Sequence, residues 1–249
     1  MDSLMKIASA RLIRYRNIFI ETKMLFSRWL IYHLNFNRLS PSVCFIDDDG
    51  NIEVKELLFP LFNEYGYLFG IAVTINRIGT KGYLSMSEIK ILHSQGVEVY
   101  SHGMDHLRLG ELDLIGNEYQ LSRSKNILNE NKLNCNHFVY PFGSYNKFTL
   151  KLIIKNYISG IGVAHKSKSQ NIKHMSRIAL GSWQRHSRSE ILDAIMMNRG
   201  LLIFMTHCWA NFGRNNGVPD TGNLEEIKFV LNFCKENNIR VVKYGDYFQ

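Results

Sequence analysis

At 249 residues, with 45% hydrophobic and 21% charged residues, the chain can bury a full core, which excludes a disordered chain. The formal net charge of +8 suits anionic partners, but the basic residues are not threaded along an aromatic-rich recognition helix, so no nucleic-acid partner is expected. Four cysteines, Cys44, Cys135, Cys208 and Cys234, stand far apart with no CxxC spacing, which argues against a disulfide framework and for a reducing compartment.

Residues 1–40 read as a basic, amphipathic N-terminal extension. Its apolar residues are interrupted by Arg11, Arg14, Arg16, Lys23 and Arg28, leaving neither a secretory apolar core nor a spanning segment. The stretch 17–36 mixes basic residues with Phe19, Met24, Leu25, Phe26, Trp29, Leu30 and Ile31. It suits a helix packed on the domain, or one lying on an anionic membrane surface with Trp29 at the boundary. The expected location is cytoplasmic, with peripheral contact at the inner membrane face as the second option.

Residues 41–249 read as one domain. An apolar run from Ser42 to Ile46 predicts a strand that ends in Asp47-Asp48-Asp49 and turns at Gly50. Residues 53–65 predict a helix with Val54, Leu57, Leu58, Leu61 and Phe62 on one face, kinked at Pro60. Strands follow at 68–74 and 97–100, separated by a helix that opens on the capping box Ser85-Met86-Ser87-Glu88 and stops at Gly96. A polar helix at 118–131, a strand at 137–142, a helix at 147–157 and strands at 159–163 and 177–180 come next. A helix at 187–198, a buried strand at 201–205, a helix capped by Asn223 and a strand at 239–242 close the chain. This alternation argues for a mostly parallel sheet wrapped by helices, with closure into a barrel left open.

Three chemically loaded stretches fall at the C-terminal ends of predicted strands, the edge where α/β architectures gather active sites. They are the aspartate triplet, Ser101-His102-Gly103-Met104-Asp105-His106, and His207. On one turn, or on a tight loop imitating it, His102 and His106 face the same point. Two imidazoles and one carboxylate make a three-ligand set for a divalent transition metal. Gly103 occupies the glutamate slot of HExxH, so a base must come from elsewhere, and the triplet can supply it. His33, His93, His165, His174 and His186 read as surface or locally bonded residues.

Asp48-Asp49-Gly50, His102-x3-His106, Tyr140-Pro141-Phe142-Gly143 and the strand ending in Thr206-His207 resemble, in order and rough spacing, the motifs of polysaccharide deacetylases. These are the NodB-homology enzymes of carbohydrate esterase family four, and the resemblance covers about residues 40–248. With Tyr145-Asn146 following, the third motif looks most like the branch acting on exopolysaccharide N-acetylglucosamine. The resemblance implies an α/β fold, a deformed (β/α) barrel of about seven parallel strands, and a divalent metal, usually zinc, held by Asp49, His102 and His106. It makes Asp48 the general base, His207 the general acid and the Phe142 N–H an oxyanion donor. Tyr140, Pro141, Arg177 and Trp209 are the substrate-binding candidates, with Trp183 and Trp209 offering aromatic faces to a pyranose ring.

Three departures from the family pattern stand out. Asp47 occupies a position that is usually Phe, which opens a second frame with Asp47 as base and Asp48 as ligand; Gly50 favours the first frame. Val139 stands where many members carry the arginine that orients the base, and Arg177 is the candidate replacement. No aspartate matches the group that tunes the acid histidine. The expected function is removal of N-acetyl groups from an amino-sugar polysaccharide or its lipid- or nucleotide-linked precursor. The alternatives are an O-acetyl esterase or other amidase on the same scaffold, and a degenerate carbohydrate-binding protein.

Overall fold

The computed structural model describes residues 41–163, 170–171, 173–198, 200–208 and 221–248, together with Thr22, Lys23, Phe26, Ser27 and Leu30. Most of the N-terminal extension, including Trp29, lies outside the described residues, as does Trp209. Among the described residues no helix is long and apolar enough to cross a membrane.

Among the described residues ten strands build one sheet: β1 (Ser42–Asp47), β2 (Gly70–Val73), β3 (Glu98–Ser101), β4 (His137–Val139), β5 (Ser159–Ile161), β6 (Gln170–Asn171), β7 (His174–Met175), β8 (Ile178–Ala179), β9 (Leu201–Thr206) and β10 (Arg240–Val241). Neighbours run β6-β7-β5-β4-β3-β2-β1-β9-β8, and β10 pairs with the start of β1. All pairs are parallel except β6–β7. Parallel neighbours need long crossovers, which the intervening helices supply. The sheet curls into a half-barrel with helices outside, a deformed (β/α) barrel.

The strand period of two sorts side chains between two apolar layers. Val43 and Phe45 of β1, with Leu202 and Phe204 of β9, join the large core under the helices. Cys44 and Ile46, with Leu201 and Ile203, join a smaller core inside the curl, beside Tyr100, Tyr244 and Tyr247. β1 is buried along its whole length and pairs with β9 from Ser42↔Leu201 to Asp47↔Thr206. A central strand covered on both faces accounts for the uninterrupted apolar run.

Several elements differ from the sequence expectation for local reasons. The helix expected over 53–65 is a π-turn, Val54–Leu58, leading into an α-helix, Phe59–Tyr65. Pro60 thereby falls in the first α-turn, where its missing N–H costs little. The helix expected at 118 starts at Leu114, because the Asp113 carboxylate accepts from the Gly116 N–H at 2.8 Å and caps it. β4 stops at Val139, since Pro141 and a left-handed Phe142 (φ 57°) turn the chain. Asn223 is not a cap: the helix Thr221–Glu236 begins before it, and its Nδ2 donates to the His207 carbonyl at 2.9 Å. The hairpin of β6 and β7 was not expected. Ser85 and Glu88 do form the reciprocal capping box.

Two glycines make the curl possible. A methyl at Gly70 of β2 would overlap the Tyr100 ring, and one at Gly160 of β5 would overlap the Tyr140 ring and hydroxyl. Each tyrosine lies flat across the glycine of a neighbouring strand. Gly70→Ala is expected to cost about 1–3 kcal/mol through this overlap, seen as a lower urea midpoint at unchanged slope; an unchanged midpoint would refute the packing argument.

Candidate metal and catalytic site

A cavity of about 450 Å³ opens at the C-terminal strand tips. Its lining includes Asp48 and Asp49 after β1, His102 and His106 after β3, Phe142 after β4, Trp183 after β8 and His207 after β9. The aspartates of the triplet are only 0%, 3% and 7% exposed, so each carboxylate needs its own compensation.

Asp47 lies in the wall opposite its strand partner Thr206. Its Oδ2 accepts the Thr206 hydroxyl at 2.7 Å and the Cys208 N–H at 2.8 Å. Burial pushes its carboxyl up to about 8, against the pull of those two hydrogen bonds. Asp48 faces the cavity and is clamped bidentately by Arg177, Nη1 to Oδ1 at 2.7 Å and Nη2 to Oδ2 at 2.8 Å. Burial would raise its pKa, but the guanidinium charge and both hydrogen bonds hold it below the ordinary carboxylate value. Asp49 sits in a left-handed turn (φ 81°) ahead of Gly50 (φ 74°), which swings its carboxylate toward the histidines. Its Oδ1 is 3.1 Å from His106 Nε2 and 3.9 Å from His102 Nε2, and it accepts from Arg77 Nη1 at 2.9 Å. Burial opposes ionisation here too, yet the His106 hydrogen bond and the neighbouring imidazoles keep this carboxyl ionised.

The histidines are held from behind. His102 Nδ1 lies 2.8 Å from the Val139 carbonyl, which can only accept, so Nδ1 carries the proton and Nε2 presents its lone pair to the cavity. Burial, reinforced by the like charge of His106, pushes His102 down to about 4 and keeps it neutral as a ligand must be. The loop to His106 is pinned by Gln120, whose Oε1 accepts from Met104 and Asp105 N–H at 2.9 and 3.0 Å while Nε2 donates to Asp105 Oδ2 at 2.7 Å. The His106 ring packs edge-on to Phe142, centroids 4.6 Å apart.

One carboxylate oxygen and two imidazole nitrogens, from Asp49, His102 and His106, lie within 4.8 Å of one another. This donor set and its buried backing fit a divalent cation. His207 stands at the end of β9, its ring 6.4 Å from Trp183, and burial lowers its pKa. The Phe142 N–H enters no hydrogen bond with the described residues and sits on the turn that lines the cavity.

The structure brings together Asp48, Asp49, His102, His106, Phe142 and His207, and it separates the two aspartate frames, since Asp47 is committed to Thr206 and Cys208. Of the substrate-binding candidates, Arg177 and Tyr140 line the cavity, and Pro141 does not. Arg177 is buried, and its donors go to Asp48 and the Gly162 carbonyl. Tyr140 lines the cavity although it is buried, its hydroxyl donating to the Lys173 carbonyl, whereas Pro141 is buried in the turn. Trp209 is outside the described residues, whereas Trp183 does line the cavity. So does His186, which is also exposed, as expected of a surface residue. Arg77 and Gln120 were missed, because neither sits in a motif and their relation to Asp49 and the histidine loop appears only in three dimensions.

Residues 38–158 match the family model described as polysaccharide deacetylase. A Bacillus subtilis protein designated as a polysaccharide deacetylase, YxkH, is 28% identical over 141 residues, 54% of this chain and 50% of that protein. The chain thus spans about half the length of the curated relative it matches. Among solved structures, the Streptococcus pyogenes deacetylase PplD with acetate aligns at TM-score 0.59 and 21% identity, over 66% of this chain and 76% of that one. A family 4 carbohydrate esterase from Streptomyces lividans, also with acetate, aligns at TM-score 0.61 and 13% identity, over 82% and 92%. BA3943 from Bacillus anthracis, a CE4 family pseudoenzyme, aligns at TM-score 0.61 and 14% identity, over 84% and 65%. At these identities the structural likeness is one of fold. Over residues 38–158 the chain is similar to the polysaccharide deacetylase family.

Replacing Arg177 with methionine would strand the Asp48 carboxylate in a dry wall, and stability is expected to fall by about 3–5 kcal/mol. Urea denaturation checks this, with Asp48→Asn added to the same chain expected to recover part of the loss. A midpoint matching the parent's would show that the pair is not needed.

Proposed function

We propose that this cavity hydrolyses the acetamido group of an N-acetylated amino sugar, releasing acetate and the free amine. The carrying observation is the convergence of Asp49, His102 and His106 within 4.8 Å beside an ionised Asp48 and across from His207. Two imidazoles and a carboxylate favour zinc as the cation. Bound there, zinc supplies Lewis acidity, which polarises a carbonyl and makes water a better nucleophile.

Each residue then has a task its surroundings support. Asp48 accepts the proton of the attacking water; Arg177 holds both its oxygens, fixing its direction and keeping it ionised. The Phe142 N–H faces the oxyanion that develops on the former carbonyl oxygen. An amine leaves poorly unless protonated, and His207 delivers that proton. The same tasks would cleave an O-acetyl ester, but an alcohol leaves with less help, so a dedicated acid favours the amide. Trp183, 53% exposed at the mouth, offers its face to a sugar ring.

We assign the substrate to an N-acetylated glycan or to a lipid- or nucleotide-linked precursor of one, handled on the cytoplasmic side with peripheral membrane contact through the basic extension. The four described cysteines are all free and buried, which accords with a reducing compartment.

Asp48→Asn should lower kcat for acetate release from N-acetylglucosamine oligosaccharides by about 10²–10⁴-fold, while zinc affinity, read by calorimetry, stays near the parent value. A chelator should abolish turnover and zinc restore it. Undiminished turnover in the variant would refute the base assignment, and turnover in the metal-stripped protein would refute the mechanism.

A further inference from the structure

Resting on the hydrolase reading above, we propose that the substrate carries an anionic oxygen group, phosphoryl or carboxylate, close to the acetamido sugar, and that Arg108 and Arg185 bind it. Both arginines line the catalytic cavity. Neither enters an ion pair among the described residues. The carboxylates of the lining are already matched: Asp48 by Arg177, and Asp49 by Arg77. With a divalent cation in place, the cavity therefore holds uncompensated positive charge.

The two guanidiniums come from different walls. Arg108 follows the histidine loop and lies 4.4 Å over the Phe142 ring, whose edge-on neighbour at 4.6 Å is His106. That stack places a planar cation one aromatic ring away from a ligating histidine and orders it before substrate arrives. Arg185 follows the turn Gly181–Trp183, beside His186 and the Trp183 face offered to the sugar. A guanidinium fork suits bidentate capture of phosphate or carboxylate oxygens.

The product's charge points the same way. Removing an acetyl group from an amino sugar leaves an ammonium. A chain of neutral sugars would accumulate positive charge in a cavity already lined by arginines without an ion-pair partner among the described residues, and like charges oppose binding. An anionic substituent reverses this. It pairs with the arginines, offsets the new ammonium and is steered in by the same field.

The test compares acetate release and calorimetric binding for three probes on the zinc-loaded full chain. These are the uridine diphosphate ester of N-acetylglucosamine, an oligosaccharide alternating N-acetylglucosamine with glucuronic acid, and neutral chitotetraose. At least one anionic probe is expected to exceed the neutral one about tenfold in kcat/KM. The preference should shrink with added salt and fall toward parity in R108Q/R185Q. Which anionic probe leads separates phosphoryl from carboxylate. Equal use of neutral and anionic probes, or a preference untouched by the double substitution, would overturn the proposal while leaving the deacetylase reading intact. If no probe releases acetate, the hydrolase reading fails and calorimetry decides the arginines alone. Anionic binding that weakens about tenfold in R108Q/R185Q sustains their role, and binding that is absent or unchanged overturns it.

Discussion

Three consecutive, nearly dry carboxylates at the tip of the central strand are the constraint around which the rest of this structure is arranged. Ionised together without partners, they would repel one another and forfeit hydration, costs that would unfold the strand tip. The fold resolves them by three different chemistries. Asp47 is pushed by burial toward its neutral form and bonded to β9, Asp48 is paired with a buried guanidinium, and Asp49 is turned toward two imidazoles. Only the third arrangement gathers a donor set for a cation, and the second leaves an ionised Asp48 beside it.

Backbone parity does the sorting. On β1, Cys44 and Ile46 point into the curl, and continuing that alternation one step brings Asp48 to the cavity. Asp47 belongs to the opposite set with Val43 and Phe45, so it meets Thr206 across the strand pair. The same alternation on β9 carries Leu201 and Ile203 inward and, at its end, His207. Asp49 would be turned outward by parity; its positive φ, continued by Gly50, breaks the alternation and redirects it. Asp48, His207 and Asp49 are thus set apart by strand register and one left-handed turn. A one-residue slip of β1 against β9 would exchange the roles of Asp47 and Asp48.

This explains what could be read from the sequence and what could not. Apolar runs ending in Asp, His or Ser residues mark strand tips, so the parallel sheet and the meeting of Asp49, His102, His106 and His207 were legible. Capping pairs such as Ser85 and Glu88 were legible too, because their chemistry is local. Partners drawn from remote elements were not. Gln120 clamps the histidine loop from a helix fourteen or more residues away, and Arg77 reaches Asp49 across 28 positions. Tyr140 reaches the cavity as its motif suggested, but its packing on Gly160 of β5 has no mark in the sequence. Helix starts were missed where the cap, Asp113, preceded the periodic pattern, and the strand at 137 was overextended because a left-handed Phe142 leaves no trace in composition.

The arginine at position 177 carries the argument furthest. The family pattern places the base-orienting arginine near the third motif, and Val139 there suggests a weakened site. Yet in the half-barrel the approach to β8 and the tip of β1 both border the cavity, since each flanks β9. An arginine from 177 can therefore reach Asp48 as readily as one from 139, and its Nε bond to the Gly162 carbonyl fixes the approach. Val139, relieved of that duty, still contributes its carbonyl to His102. A constraint defined by charge and direction can be met from either side of a curled sheet. A fold of this kind is shared by esterases and by a pseudoenzyme alike, so it is the pairing of base, backing cation and ligand cluster that bears on chemistry here.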